Sequence, residues 1–166
     1  MGMVTDNVRG SKGEEVFYNT MKALGKEVIK VVPGTKEDRL HHIDFWVDGI
    51  SYDVKAEKKL NAWDKETNPN VIWMEFIGIS GYPGWLYGKE QKLSFQSGKE
   101  LLIVDRDKLR QYAEDNIPVS PVQVGGDKPY KMKYGRRSYK DVMAFVWRED
   151  IKHLIEEIIP IINNVK

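Results

Sequence analysis

The 166-residue chain predicts an α/β (α+β) domain in which a mixed central β-sheet is flanked by helices. Three observations predict it. An amphipathic helical segment comes first, β-branched and aromatic runs bounded by turn residues follow, and further helical segments return among the later strands. Composition agrees: 41% hydrophobic and 31% charged residues are the proportions of a folded globular chain. One domain over 1–166 is expected at this length.

From Ser11 to Leu24, SKGEEVFYNTMKAL reads as a helix, with Ser11 as N-cap, Glu14 at the capping-box position and Gly25 as the stop. Lys26–Val32 reads as a strand that turns at Pro33-Gly34, and 35–41 as a charged loop. Ile43–Val47 and Ile50–Ala56 flank Asp48-Gly49, a strong hairpin signal. Polar residues 57–70 precede a strand at Val71–Ile79 and the Gly- and aromatic-rich loop GYPGWLYG. Strands at Lys92–Phe95 and Glu100–Asp105, a helix at Arg106–Asn116, a loop over 118–135 and a strand within Ser138–Trp147 complete the middle. Glu149–Ile159 reads as an amphipathic helix whose stripe of Ile151, Leu154, Ile155, Ile158 and Ile159 is core or a homodimer face.

Several classes are excluded. No apolar run approaches the ~18 residues of a membrane span, so no membrane partner is expected. The polar start, Met1–Gly13, lacks the apolar stretch of a signal peptide, which points to an intracellular, cytoplasmic protein. Without cysteine there are no disulfides, thiolate metal sites or cysteine nucleophiles. The net charge of +1 is neutral on nucleic-acid binding, because balance can hide local patches.

The hairpin carries the chemistry. Counting outward from a two-residue turn, Val47 faces Ile50, Trp46 faces Ser51, Phe45 faces Tyr52, Asp44 faces Asp53 and His42 faces Lys55. Alternation puts Asp53 and Lys55 on one side. Two opposed aspartates repel unless a cation sits between them, and carboxylate oxygens are what Mg²⁺ takes, with Mn²⁺ as a substitute. Lys55 would then stand beside the ion, steadying an attacking water and the charge that builds on a phosphate. Taken alone, the same pattern also fits a solvated sheet face. Glu14 shares a helical stripe with Phe17, Met21 and Leu24, where an acid wants a partner or a metal. The alternative is that it completes the capping box with Ser11.

Together, a helix with G-x-x-x-E, then Leu-Gly, a strand, Ile-Asp, and Asp-Val-Lys on the next strand resemble the PD-(D/E)XK nuclease superfamily, in its Holliday-junction-resolvase and RecB-like branch. The matching stretches are GSKGEEVFYNTMKALGKEVIKV, HIDFWV and ISYDVKAEK. The resemblance implies a restriction-endonuclease-like core with its signature over about 10–80, and a metal-dependent endonuclease hydrolysing DNA phosphodiester bonds. It implies that Asp44, Asp53 and Glu14 hold Mg²⁺, aided by the Val54 carbonyl, and that Lys55 acts on the water. Ile43 stands where the signature has proline. The alternative is a catalytically inactive nuclease-fold module for DNA binding or assembly. The GW-x-x-G stretch, also found in nuclease-like phage proteins, hints at a phage or mobile element.

Beyond the signature, Glu75 either supports the metal or water or is an exposed strand glutamate. Trp85 and Tyr87 are expected to fold over the sheet end in preference to stacking on unpaired bases. The basic C-terminal portion, 127–166, opens with DKPYKMKYGRRSYK, where Lys128, Lys131, Lys133, Arg136 and Arg137 lie among tyrosines. DNA phosphate contact is the functional reading there, with Lys58 and Lys59 adding to it, and a solvated loop the plain one. His41, His42 and His153 are too scattered for a zinc site.

Overall fold

The computed structural model describes residues 2–162, with side chains from Gly10 onward. Helix α1 spans Gly2–Ala23. It begins well before Ser11, which therefore lies inside the helix, so the expected N-cap and its capping box with Glu14 do not form. Gly25, at φ 78°, ends the helix with its N–H on the Lys22 carbonyl at 3.0 Å. Strand β1 (Val28–Lys30) follows, and then a short helix, α2 (Lys36–Arg39), inside the expected loop. Thr35 caps α2 by accepting from the Asp38 N–H.

Strands β2 (Phe45–Val47) and β3 (Ile50–Lys55) form the hairpin in the expected register, with Val47 opposite Ile50, Trp46 opposite Ser51 and Phe45 opposite Tyr52. Asp48 and Gly49 take φ of 48° and 80°, the paired positive values that suit this turn to an Asp-Gly sequence. Then come β4 (Val71–Ile77), a 3-10 turn at Trp85–Tyr87, β5 (Lys92–Ser97), β6 (Glu100–Asp105) and α3 (Arg106–Asn116). Strands β7 (Val122–Val124) and β8 (Lys133–Gly135) lie in the stretch expected to be loop, ahead of β9 (Val142–Trp147).

The last expectation fails. Arg148–Leu154 is a 3-10 helix and Ile155–Pro160 is strand β10, antiparallel to β6 with a bulge between Ile155 and Glu157. A bulge shifts the alternation by one residue, so isoleucines at helical spacing fit a strand. The open edge of β6 supplies main-chain partners that a helix would not use. The isoleucine stripe is split accordingly: Ile151 enters one core, Ile159 packs on the other, and Ile158 is exposed.

Two sheets result. The larger runs β1-β2-β3-β5-β6-β10, with β3 and β5 parallel and the other neighbours antiparallel. The smaller runs β4-β9-β8-β7. The fold is therefore mixed α+β. On one face of the larger sheet, Phe45, Val47, Tyr52, Leu101 and Ile103 bury against Phe17 and Met21 of α1. On the other, Leu93, Phe95, Leu102 and Val104 bury against Ile72, Met74 and Val146 of the smaller sheet and Leu109 of α3. Burial on both faces is why Leu101–Val104 is an unbroken apolar run. Among the described residues no helix is long and apolar enough to cross a membrane.

Candidate active site

The hairpin ladder stops at Phe45 and Tyr52. Asp44 leaves it: its N–H donates to the Tyr52 carbonyl at 2.8 Å, and its carbonyl accepts from the Val31 N–H at 2.9 Å. Its side-chain Oδ2 accepts from the Val54 N–H at 2.8 Å, a donor that the ladder leaves free. The expected ladder pairs of Asp44 with Asp53 and His42 with Lys55 therefore do not form. His42, at φ 59°, turns the chain away before the strand begins.

The carboxyl groups of Asp44 and Asp53 still come within hydrogen-bonding reach of each other. Burial first, and then the Asp53 charge, push the Asp44 carboxyl up to about 8. At neutral pH the pair holds a proton. Asp53 itself is 3% exposed. The Lys55 Nζ lies 2.9 Å from Asp53 Oδ2 and 5.0 Å from the Trp85 ring centroid. Burial works to lower the lysine pKa, but the charges of Asp53 and Asp44 more than offset it and hold the ammonium above the usual lysine value.

Glu14 reaches this site because α1 packs tightly on the end of β3 at Gly13. A Cβ on Gly13 would lie 2.8 Å from the Ala56 Cβ and 3.2 Å from its Cα. Half-buried, Glu14 is raised above the usual carboxylate value by burial and by Asp44, while Lys30, 3.7 Å away, pulls the other way. On the opposite side, Glu75 Oε1 accepts from the Trp85 N–H at 3.3 Å, and its charge reaches Lys55 and His42. Burial, then Lys55, hold the His42 imidazole below the usual histidine value, so it is neutral at pH 7. Glu14, Asp44, Asp53, Lys55 and Glu75 thus form one run of neighbouring charges. Among the described residues, no three His, Asp or Glu side chains are already drawn together as a metal shell.

One residue of this site escaped the sequence reading. Glu90 is wholly buried beside Asp53, and burial followed by the Asp53 charge raises it well above the carboxylate range. Parallel pairing of β5 with β3 brings it there, fixed by Gln91, whose N–H donates to Ser51 Oγ at 2.9 Å. Its local sequence, Gly-Lys-Glu-Gln, reads as an exposed turn and carries no signal of burial. The glycines of GW-x-x-G have a steric role here. A Cβ on Gly84 would lie 2.7 Å from the Glu75 carbonyl carbon, and one on Gly88 would strike Glu90 Oε1. Trp85 is buried over the sheet end as expected, whereas Tyr87 is 43% exposed with its hydroxyl donating to Glu114.

A cleft of about 570 Å³ adjoins the site, with Lys58, Lys59, Trp73, Glu75, Lys128 and Arg136 among its lining residues. Arg136 is also paired with Asp141 at 2.8 Å and lies over the Tyr139 ring. The other expected basic residues lie elsewhere. Lys131 pairs with Asp150 at 3.8 Å, Lys133 lies over the Phe76 ring, and Arg137 sits beside Gly125. His153 packs edge-on against Tyr112, away from the other histidines.

What the fold and site define is a mixed α+β protein with a buried carboxylate–lysine centre that reaches, through Glu75, a cleft lined by lysines. No family profile, no curated protein and no solved structure matches the chain.

Proposed function

We propose that the chain is a Mg²⁺-dependent endonuclease that hydrolyses DNA phosphodiester bonds on a restriction-endonuclease-like core of the PD-(D/E)XK type. The convergence of Asp44 and Asp53, with the Lys55 ammonium 2.9 Å from Asp53, carries this reading. The order α1, β1, β2, β3 supports it, since that is the order of helix and strands in the signature. Two buried carboxyl groups in contact are unfavourable unless positive charge joins them. A shared proton does so at neutral pH, and a divalent cation does so better. Asp53 Oδ2, buried with no partner but the Lys55 ammonium, has lone pairs left for that role.

Asp44 and Asp53 would hold the ion, with Glu14 and the Val54 carbonyl as further donors. Bound there, Mg²⁺ would supply a Lewis acid and a water of lowered pKa. The chain's own residues supply the rest. Lys55 is a charged ammonium, so it stabilises negative charge on a reacting phosphate rather than removing a proton from water. Trp85 beneath it excludes water from one side. Neutral His42 adds no competing charge, and Glu75 sits where it can orient a water beside Lys55.

The test is incubation of the protein with plasmid, linear and branched DNA in Mg²⁺ or Mn²⁺. Cleavage is expected, stopped by chelator and reduced by about 10² in Lys55→Ala. Cleavage indifferent to chelator or to Lys55→Ala overturns the mechanism. Binding without cleavage in either metal makes the chain a DNA-binding or assembly module instead.

DNA would enter along the cleft, where lysines contact phosphate without reading sequence. Lys59→Ala is therefore expected to weaken DNA binding on every sequence and to lower the slope of log affinity against log salt by about 1. Lys133→Ala, whose ammonium lies over Phe76 outside the cleft, is expected to leave both unchanged. Fluorescence anisotropy across a salt series reads both, and equal slopes for the two variants would remove the cleft from the DNA path.

A further inference from the structure

Glu90 lies outside the nuclease signature, and the mechanism above makes no use of it. Its side chain is 0% exposed, and neither carboxylate oxygen accepts a hydrogen bond. A carboxylate offers about four lone-pair sites, and buried polar groups are almost always partnered. Arg106 does not fill the gap. Its Nε is 3.3 Å from Glu90 Oε1 but donates to the Glu90 carbonyl at 2.9 Å, and its Nη1 donates to the Leu86 carbonyl at 2.8 Å. The guanidinium thus anchors main chain and lends Glu90 charge without a donor.

The open lone pairs have one neighbour of matching kind. Asp53 lies within hydrogen-bonding reach of Glu90, and its Oδ2 is buried with only the Lys55 ammonium, 2.9 Å away, as partner. Gly88 keeps the enclosure tight, since a Cβ there would run into Glu90 Oε1 and lie 2.9 Å from the His41 carbonyl oxygen. Oxygens of two adjacent acids in one enclosure, those of Glu90 without a donor and Asp53 Oδ2 with Lys55 alone, match the all-oxygen donor set of a hard divalent cation. We propose that Glu90 is a further carboxylate of the divalent-cation site, beyond Asp44, Asp53 and Glu14, binding the ion together with Asp53. The proposal rests on the metal-dependent reading above and extends its donor set to a residue outside the signature.

The test is calorimetric titration of the full chain with Mn²⁺, alongside thermal melts with and without Mn²⁺. Glu90→Gln removes the charge in nearly the same shape. Glu90→Asp keeps the charge opposite Arg106 and withdraws the carboxylate by one methylene. Both are expected to weaken Mn²⁺ binding about ten-fold or more and to shrink the Mn²⁺-induced rise in Tm, a difference that survives a lower baseline stability. Glu149→Gln, at an 84% exposed side chain, is expected to bind as wild type does. Wild-type affinity in both Glu90 variants overturns the proposal, leaving Glu90 a protonated structural acid. If wild type binds Mn²⁺ through Glu90 yet cuts no DNA, the nuclease reading alone falls. If it cuts DNA and the Glu90 variants bind normally, this inference alone falls. Absence of Mn²⁺ binding by wild type overturns both.

Discussion

Asp44→Asn is expected to lower metal-dependent cleavage by about 10²–10³ while raising the melting temperature of the chelated protein at alkaline pH. Asparagine keeps an acceptor for the Val54 N–H, which the aspartate now holds at 2.8 Å, and loses only the charge. That charge opposes folding. The Asp44 carboxyl is raised from 3.8 to about 8, by burial first and by Asp53 second. Between those values the folded chain binds a proton that the unfolded chain releases. Stability therefore falls as pH rises through this window and is fully present below it. The variant does not titrate at this position and escapes the fall. Below pH 3.8 the two proteins are expected to melt together. The gap is expected to open as pH rises above that, and near pH 8.5 the variant is expected to melt several degrees higher, at about 2–4 °C per kcal/mol for a chain of this size. Added Mn²⁺ is expected to raise the wild-type Tm at pH 8.5 and to leave the variant unmoved, because only the wild type retains the pair. A variant less stable than wild type at every pH would make Asp44 a structural hydrogen-bond acceptor and nothing more.

A residue that weakens the metal-free fold and is needed once the cation binds has the pattern of a functional site, where local consistency is given up. That pattern separates what the sequence discloses from what it does not. The Asp48-Gly49 turn and the register out to Phe45 and Tyr52 were readable because both are local: turn chemistry sets the count, and alternation sets the face. Helix α3 matched its expected span for the same reason, with Asp105 capping it from the preceding residue. Asp44 was found by its neighbours, but the departure of its main chain from the ladder was not. The Val31 and Val54 N–H groups that hold it come from the residue just past β1 and from β3. β10 was misread because Ile151, Leu154, Ile155 and Ile158 repeat at helical spacing, and only pairing with β6, far away in sequence, decides between helix and strand. Glu90 was invisible for a related reason. Its burial comes from parallel pairing and from Arg106, and parallel partners leave no local trace. Two strands of the smaller sheet, β7 and β8, were missed as well. Each is three residues long, too short for a period-2 pattern to stand out from a loop.

Gly13→Val is expected to destabilise the protein by about 2–3 kcal/mol and to reduce cleavage as well, though residue 13 touches neither metal nor DNA in the mechanism above. Glycine inside a helix is disfavoured by ~1 kcal/mol relative to alanine, so an alanine here would stabilise α1 if space existed. It does not: a Cβ would stand 2.8 Å from the Ala56 Cβ and 3.2 Å from its Cα, main chain that directly follows β3, whose last residue Lys55 is paired to β5. Overpacking at such a contact costs about 1–3 kcal/mol, and a β-branched side chain has no rotamer that avoids the strand. The helix must move, and Glu14, the next residue, moves with it. Glu14 is raised partly by the charge of Asp44, so retreat of α1 is expected to relax that shift and to weaken Mn²⁺ binding. Thermal melts and Mn²⁺ titration read the two effects separately. The milder Gly13→Ala tests the geometry through a double-mutant cycle with Ala56→Gly, which removes the nearest atom. The pair is expected to be more stable than the sum of the singles predicts, by a coupling of about 1 kcal/mol. Simple additivity of the two changes would mean that α1 and β3 do not meet at Gly13, and Glu14 would then lose its place in the site.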